Sequence, residues 1–140
     1  MSTPDDAARW REERRASAAA HADALARKQA AESQQARALI ATFVERALAD
    51  GPAPVELRAR SYDGRARYRT PLRGWYLRRD ESVAVDTAGE FYVLSTPASL
   101  AARVRGVVPA PSDPPLVLGA GGKDGESLDL TQALARVLDA

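Results

Sequence analysis

The sequence predicts an α+β protein with a long N-terminal helix, a small antiparallel β-meander of about five to six strands, and a short C-terminal helix. Three observations predict this class. No Gly or Pro interrupts residues 5–50, which are rich in helix-forming Ala, Arg, Glu and Leu. Residues 55–95 alternate apolar and polar side chains between turn residues spaced about ten apart. Apolar residues recur at helical spacing in 130–138. Helices packed beside an antiparallel sheet define the α+β class.

Clear start and stop signals bound the first helix. Thr3 can cap it, Pro4 suits its first turn, and Gly51 can end it. Its last third carries one apolar face. That face consists of Ala36, Leu39, Ile40, Phe43, Val44, Ala47 and Leu48. We therefore expect residues 35–49 to pack on the sheet.

The first two-thirds of this helix lack such a face. Trp10 and Leu25 are its large apolar residues, and alanine supplies most of the rest. Polar residues at the heptad seam argue against an extended coiled coil. The sequence predicts a projecting, alanine-rich helical arm over 1–34 and an α+β domain over 35–140. In that domain, helix 35–49 packs on a sheet within 55–119, and the C-terminal helix is 130–138.

Short apolar–polar alternations mark the strands of the meander. The expected strands are 55–60, 65–70, 74–78, 82–86 and 90–94. Asp63 and Gly64 form the first hairpin turn. Pro71 ends the second strand or places it on an edge. The result is a small antiparallel sheet or a partly closed roll.

Strand phase separates a core face from an outer face. The expected core face consists of Val55, Leu57, Ala59, Trp75, Leu77, Val83, Val85 and Val93. Tyr76 and Tyr92 have the opposite phase, so they form either an exposed aromatic patch or a second, minor core under the long helix.

The region after residue 96 predicts shorter elements. Residues 99–105 form a short helix capped by Ser99, or alternatively an edge strand. Residues 116–118 form a buried strand. Gly119–Gly125 resembles a phosphate-binding loop, but its spacing matches no nucleotide motif, so a connecting loop is favoured. Asp129 with Gln132 predicts a capping box for the last helix.

Composition argues against catalysis. The chain has no cysteine, and its one histidine, His21, lies between alanines, where a solvated helical role is favoured. Thiolate chemistry is excluded, and histidine-based triads and metal sites have almost nothing to draw on. We expect no enzyme activity, no cofactor and no metal. Neither a signal peptide nor a membrane span is apparent, so we expect a cytoplasmic protein.

Charge is unevenly distributed along the chain. Residues 1–54 carry net 0, residues 55–80 net +5 and residues 81–140 net −4, for +1 overall. The basic block allows binding of nucleic acid or another polyanion, with Tyr62, Trp75 and Tyr76 at hand to stack bases, and it equally allows self-association or internal pairing. The candidate residues are Arg58, Arg60, Arg65, Arg67, Arg69 and Arg78. The alternative is a solvated outer face paired with acids elsewhere.

Exposed aromatic and apolar residues suggest contact with a protein. The candidate partner surface consists of Tyr62, Tyr76, Tyr92, Trp10 and Leu25. The first hypothesis is a non-enzymatic protein-binding or adaptor module that uses its long helix and sheet surface for self-association or partner contact. The second is a nucleic-acid or polyanion-binding protein that uses the Arg-rich hairpin 58–79.

Two stretches carry a resemblance to a family. GWYLRRDESVAVDTAGEFYVL and the later DPPLVLGAGGKDGESLDL resemble a family of short, uncharacterised proteins of high-GC actinobacteria. The resemblance covers residues 55–140 and leaves out the alanine-rich arm. It implies a bacterial cytoplasmic protein and assigns no activity or site.

Overall fold

A computed structural model describes residues 3–119 and 127–140 of the chain. Its helices are α1 (Pro4–Asp50), α2 (Leu100–Arg105) and α3 (Leu130–Leu138). Its strands are β1 (Val55–Ser61), β2 (Arg67–Tyr76), β3 (Val83–Asp86), β4 (Phe91–Val93), β5 (Ser95–Thr96), β6 (Val117–Leu118) and β7 (Leu128–Asp129). The predicted α+β class is confirmed. The predicted glycine loop lies, beyond Gly119, outside the described residues.

The chain divides into two compact units, Met1–Glu32 and Ser33–Ala140. In the first, Thr3 and Asp6 form a reciprocal cap, each backbone N–H donating to the other's side-chain oxygen at 3.3 and 3.2 Å. None of the residues 3–31 is buried. The helix in this unit is therefore stabilised by its cap and by alanine propensity.

In the second unit, the end of α1 packs on the sheet. Its buried residues are Ala36, Ile40, Phe43, Val44 and Ala47. Phe43 meets Trp75 of β2 edge to face, with ring centroids 5.3 Å apart, and the Trp75 indole donates to the Pro52 carbonyl at 2.8 Å. The predicted apolar face is confirmed except at Leu48, which is 55% exposed.

The main sheet has the order β4-β3-β2-β1-β5. Its two outer strands are separated in sequence by Leu94 alone. Leu94 donates its N–H to the Ser82 carbonyl at 2.8 Å and accepts from the Arg60 N–H at 2.9 Å. One extended segment, 91–96, therefore pairs with both edges and partly closes the sheet, in agreement with the roll alternative. Closure adds one parallel pair, β1 with β5, to an otherwise antiparallel meander.

Pro71 neither ends its strand nor lies on an edge, so that prediction is wrong. β2 continues through it, between β1 and β3, and the register with β1 shifts at this point. The Thr70 hydroxyl donates to the Leu57 carbonyl at 2.5 Å and accepts from the Leu72 N–H at 3.2 Å. Because this hydroxyl replaces ladder hydrogen bonds, a central strand tolerates a residue without an N–H.

Continuity through Pro71 also reverses part of the predicted core face. Trp75 and Val85 pack against α1 and α3, on the face of the sheet that the helices cover. Leu57 instead packs with Ala84, Tyr92 and Leu94 on the other face of the sheet, in a cluster that contains no helix residue and that we call the inner cluster. Two other predicted core residues, Val55 and Val93, are 47% and 49% exposed. Leu57 and Ala59 thus lie on the opposite face from Trp75.

The smaller elements complete the domain. α2 is capped by the Ser99 side chain, as predicted. Within the described part of the chain, β6 pairs with β7 in a separate two-stranded sheet rather than extending the main one. α3 has the predicted bounds, but Asp129 makes no side-chain cap hydrogen bond. The Leu130 N–H donates instead to the Leu116 carbonyl at 2.8 Å, because Asp129 is held in β7.

Candidate anion-binding surface

Four arginines lie together on the outer face of the β1–β2 pair. Arg58 lies opposite Arg69, and Arg60 lies opposite Arg67. We call these four residues the arginine face. The residues between them, Ala59 and Tyr68, are buried on the other side of the pair, against Ala102 of α2. Strand alternation therefore places the four arginine side chains on the opposite face of the β1–β2 pair from Ala59 and Tyr68.

Glu81 is the acidic partner of this face. Its carboxylate accepts from Arg67 Nη2 at 2.7 Å and from Arg60 Nη2 at 3.3 Å. It holds a positive φ of 61°, which is uncommon for a residue other than glycine. The four arginines and Glu81 carry a net charge of +3, so the face keeps a surplus of positive charge.

The remaining hydrogen-bonding capacity of the face is largely unused. The Arg58 guanidinium makes no hydrogen bond or ion pair with any residue in 3–119 or 127–140. Arg60 Nε also lacks a hydrogen-bond partner within the same described ranges, but it is buried and so out of reach of a ligand. Arg69 donates to the Val104 carbonyl at 3.1 Å and stays exposed. Guanidinium groups held side by side with spare donors are suited to phosphate or carboxylate oxygens.

Two of the predicted anion-binding arginines lie elsewhere. Arg65 lies in the turn between β1 and β2, outside the paired rows. Arg78 follows β2, where its Nε lies 3.6 Å from the Asp80 carboxylate and its Nη1 donates to the Leu118 carbonyl at 3.4 Å. Burial raises the pKa of Asp80, but hydrogen bonds from Ser82 and the nearby Arg78 outweigh it and hold that pKa below its ordinary value. Arg78 is therefore occupied by internal contacts.

Two of the three predicted aromatic neighbours, Trp75 and Tyr76, do not flank the arginine face. Trp75 is buried under α1, and Tyr76 is half-buried because its ring packs against the inner cluster. Its hydroxyl accepts from the Arg58 N–H at 2.8 Å. The arginine face therefore offers charge and hydrogen bonds without these two rings as stacking surfaces.

The predicted partner surface is only partly exposed. Tyr92 is 5% exposed, so its assignment to a partner surface is wrong. It lies in a second, minor core as in the alternative, but that core contains no residue of α1, so its predicted place under the long helix is wrong. The Tyr92 hydroxyl donates to Asp86 at 3.0 Å. Tyr62 is 73% exposed, while Trp10 and Leu25 are 57% and 56% exposed. Arg14 covers the Trp10 ring, with its guanidinium carbon 4.9 Å from the centroid.

Sequence reasoning missed the role of Glu81. Glu81 lies in the RRDES stretch that follows β2. No periodic pattern in the sequence indicates that this residue contacts Arg60 and Arg67. The cross-strand positions of these arginines were predictable from the Asp63–Gly64 hairpin, whereas a carboxylate brought in by a later turn was not.

No protein family, curated protein or solved structure gives a significant match to this chain. Within the described residues, no group of three or more His, Cys, Asp or Glu side chains could hold a metal ion. No helix in the described part of the chain is both long enough and apolar enough to cross a membrane. The fold and site thus define a class only, an α+β protein with a partly closed sheet and an arginine-rich outer face.

Proposed function

We propose that this protein is a non-enzymatic binding module whose arginine face contacts a polyanionic partner, with the phosphate backbone of nucleic acid as the first ligand to test. The observation that supports this is the cross-strand pairing of Arg58 with Arg69 and of Arg60 with Arg67, with Glu81 as the one carboxylate paired to them among the described residues. Like charges placed opposite each other destabilise a sheet. A bound anion relieves that repulsion.

The mode of binding follows from what lies beside these arginines. Trp75 and Tyr76 are packed into the two sides of the sheet, so they do not stack on bases. We therefore expect contacts to phosphates, with little sequence preference and with strong dependence on salt.

Fluorescence anisotropy with a labelled single strand of mixed sequence tests this proposal. For a face of net charge +3, log K should fall against log salt with a slope of about −2. The double variant Arg58→Gln/Arg67→Gln should reduce that slope by about 1.4 in magnitude. The matched control is the double variant Arg27→Gln/Arg46→Gln, which changes two exposed arginines of α1 and should alter the slope little. No binding at low salt, or an equal loss in this control, would exclude the arginine face as the contact surface.

A second candidate function is self-association through α1. The observation that favours it is the exposure of Trp10 and Leu25, both more than half exposed in the unit Met1–Glu32. Large exposed apolar groups on a helix suit contact with a second helix. Sedimentation equilibrium of the full chain should then show a dimer that Leu25→Glu dissociates and that the exposed control Gln34→Glu leaves intact. A monomeric wild-type chain at high concentration contradicts this function.

A bacterial, cytoplasmic setting remains part of the proposal. It is supported by the resemblance of residues 55–140 to short actinobacterial proteins and by the absence of cysteine from the sequence.

A further inference from the structure

A cleft of about 400 Å³ opens beside the turn between β1 and β2, where residues 97–103 pass across it. Its polar lining consists of Ser61, Asp63, Arg65, Tyr68, Ser99 and Arg103. None of these residues belongs to the arginine face. The cleft is within the size range of small-molecule sites, about 300–1,000 Å³.

One side of the cleft is fixed by hydrogen bonds around Asp63. The Ser61 hydroxyl donates to Asp63 Oδ1 at 2.5 Å, and the Arg65 N–H donates to the same oxygen at 2.9 Å. The hydrogen bond from Ser61, more than any other contact, lowers the pKa of Asp63. Ser61 also accepts from the Ala66 N–H at 3.0 Å. This turn therefore presents a rigid rim to the cleft.

The cleft contains more donors than acceptors. The Arg65 and Arg103 guanidinium groups make no hydrogen bond or ion pair with any of the described residues, although Arg103 is near enough to attract the charge of Asp63. Tyr68 is 1% exposed, and its hydroxyl accepts from the Ser99 N–H at 3.0 Å. The proton of that hydroxyl has no acceptor within the described ranges. That hydroxyl can therefore still donate one hydrogen bond.

We propose that this cleft binds a small organic oxyanion, a molecule carrying a carboxylate or a phosphate group. The guanidinium groups of Arg65 and Arg103 contact the anionic oxygens, and the Tyr68 hydroxyl donates its free proton to one of them. Asp63 offsets one of the two positive charges, so the site carries net +1 and suits a single anionic group. Ala98 and Leu100 line the same cleft and contact the apolar part of the molecule.

Heteronuclear NMR titration of the full chain tests this site. The probes are sodium phosphate and sodium acetate in separate titrations, with sodium chloride at matched ionic strength as the reference. Saturable shifts of the Arg65, Ala66 and Leu100 amides are expected beyond those in chloride, and the relative affinities of the two probes identify the preferred anion. Arg103→Gln and Arg65→Gln should each weaken binding about tenfold, the effect of one charged hydrogen bond.

Arg105→Gln supplies the matched control, because Arg105 lies on the same helix outside this cleft. It should change the affinity less than twofold. Shifts that match those in chloride for both probes overturn the proposal, as does an equal loss in Arg105→Gln. If Arg58→Gln abolishes phosphate binding while Arg103→Gln does not, the anion binds the arginine face and the cleft site is rejected. The proposed function then stands without it.

Discussion

Arg60 lies directly opposite Arg67 across the β1–β2 pair, and both side chains meet the carboxylate of Glu81. The two guanidinium groups thus share one negative charge, and the side chains of Arg60 and Arg67 are 33% and 49% exposed. The Glu81 carboxylate reduces the repulsion between the two guanidinium groups, and it therefore competes with any anion that binds them.

Removal of this carboxylate's charge should therefore strengthen polyanion binding. Glu81→Gln raises the net charge of the group from +3 to +4, and the salt slope should become steeper by about 0.7. Loss of two partly exposed ion pairs should lower the free energy of unfolding by about 1 kcal/mol. Anisotropy across salt and urea denaturation measure the two effects. Glu90→Gln, an exposed acid in the β3–β4 turn, is the control. An equal gain there would assign the effect to overall charge.

The Thr70 hydroxyl should stabilise β2 where the strand runs through Pro71. Thr70→Val preserves side-chain shape and removes the group that serves the Leu57 carbonyl and the Leu72 N–H. Two backbone groups then lose their partner, and we expect a loss of about 1–3 kcal/mol in the free energy of unfolding. Urea denaturation followed by tryptophan fluorescence measures it. Thr87→Val, at an exposed turn, should change stability by less than about 0.5 kcal/mol. Equal effects at both sites contradict the role given to Thr70.

Tyr92 should make the protein sensitive to alkaline pH. Burial, followed by its hydrogen bond to Asp86, raises the pKa of Tyr92 to about 12, above the ordinary value of 10.0. The folded state thus favours the neutral phenol. Its contribution to stability is present in full below pH 10 and is lost as the pH rises from 10 towards 12.

The urea midpoint measured from pH 8 to 12 checks this dependence. Tyr92→Phe should lower stability by about 1 kcal/mol at neutral pH, through loss of the hydrogen bond, and should flatten the alkaline decline. Tyr62→Phe removes an exposed phenol and should leave the profile unchanged. An alkaline decline of the same size in Tyr92→Phe would show that another group causes it.

Gly74 should be intolerant of any side chain. A Cβ at this position would clash with the Val85 carbonyl oxygen and lie 2.7 Å from Asp86 Cα. Both are backbone atoms of the paired strand β3, so relief requires β2 and β3 to separate. We expect Gly74→Ala to cost at least about 3 kcal/mol, at the upper end of overpacking effects. Thermal denaturation by circular dichroism measures it.

Gly64→Ala provides the comparison for that substitution. Its Cβ would meet nothing within 4 Å, but its φ of +74° is unfavourable for alanine. That strain costs about 1–2 kcal/mol. A larger loss at Gly64 than at Gly74 would contradict the close approach of β2 and β3.

The elements governed by local chemistry were predictable from sequence. The cap at Thr3, the helix end at Gly51 and the turn at Gly64 each depend on neighbouring residues, and the structure places all three as expected. The cap of α2 by Ser99 is a further case. Local capping and turn rules suffice at such positions because the interacting groups are few residues apart.

Predictions that depended on Pro71 failed for a physical reason. Because Pro71 has no N–H, the sequence predicted a strand end there. A separate strand after Pro71 could place Trp75 on the opposite face from Arg69. Since the Thr70 hydroxyl substitutes for the missing ladder bonds, β2 is continuous and these two residues share a phase. Leu57 consequently belongs to the inner cluster and not to the helix-covered one.

The candidate site was predictable only in part. Hairpin register follows from the turn, so the placement of Arg58, Arg60, Arg67 and Arg69 could be inferred. The cleft could not, because residues 97–103 reach the turn between β1 and β2 only after the sheet has closed. Contacts between segments so far apart in sequence leave no periodic signal in either one.

The double pairing of Leu94 sets a limit on how this sheet can come apart. Its N–H donates to Ser82, just before β3, and its carbonyl accepts from Arg60 of β1, so loss of pairing on either side disturbs the same residue. The amide protons of Arg60 and Leu94 should therefore exchange with solvent together, in one cooperative opening. The hydrogen bond between Arg60 and Leu94 closes a loop that runs from β1 through the whole meander. Because closing this loop costs entropy, we expect the bond to form late in folding.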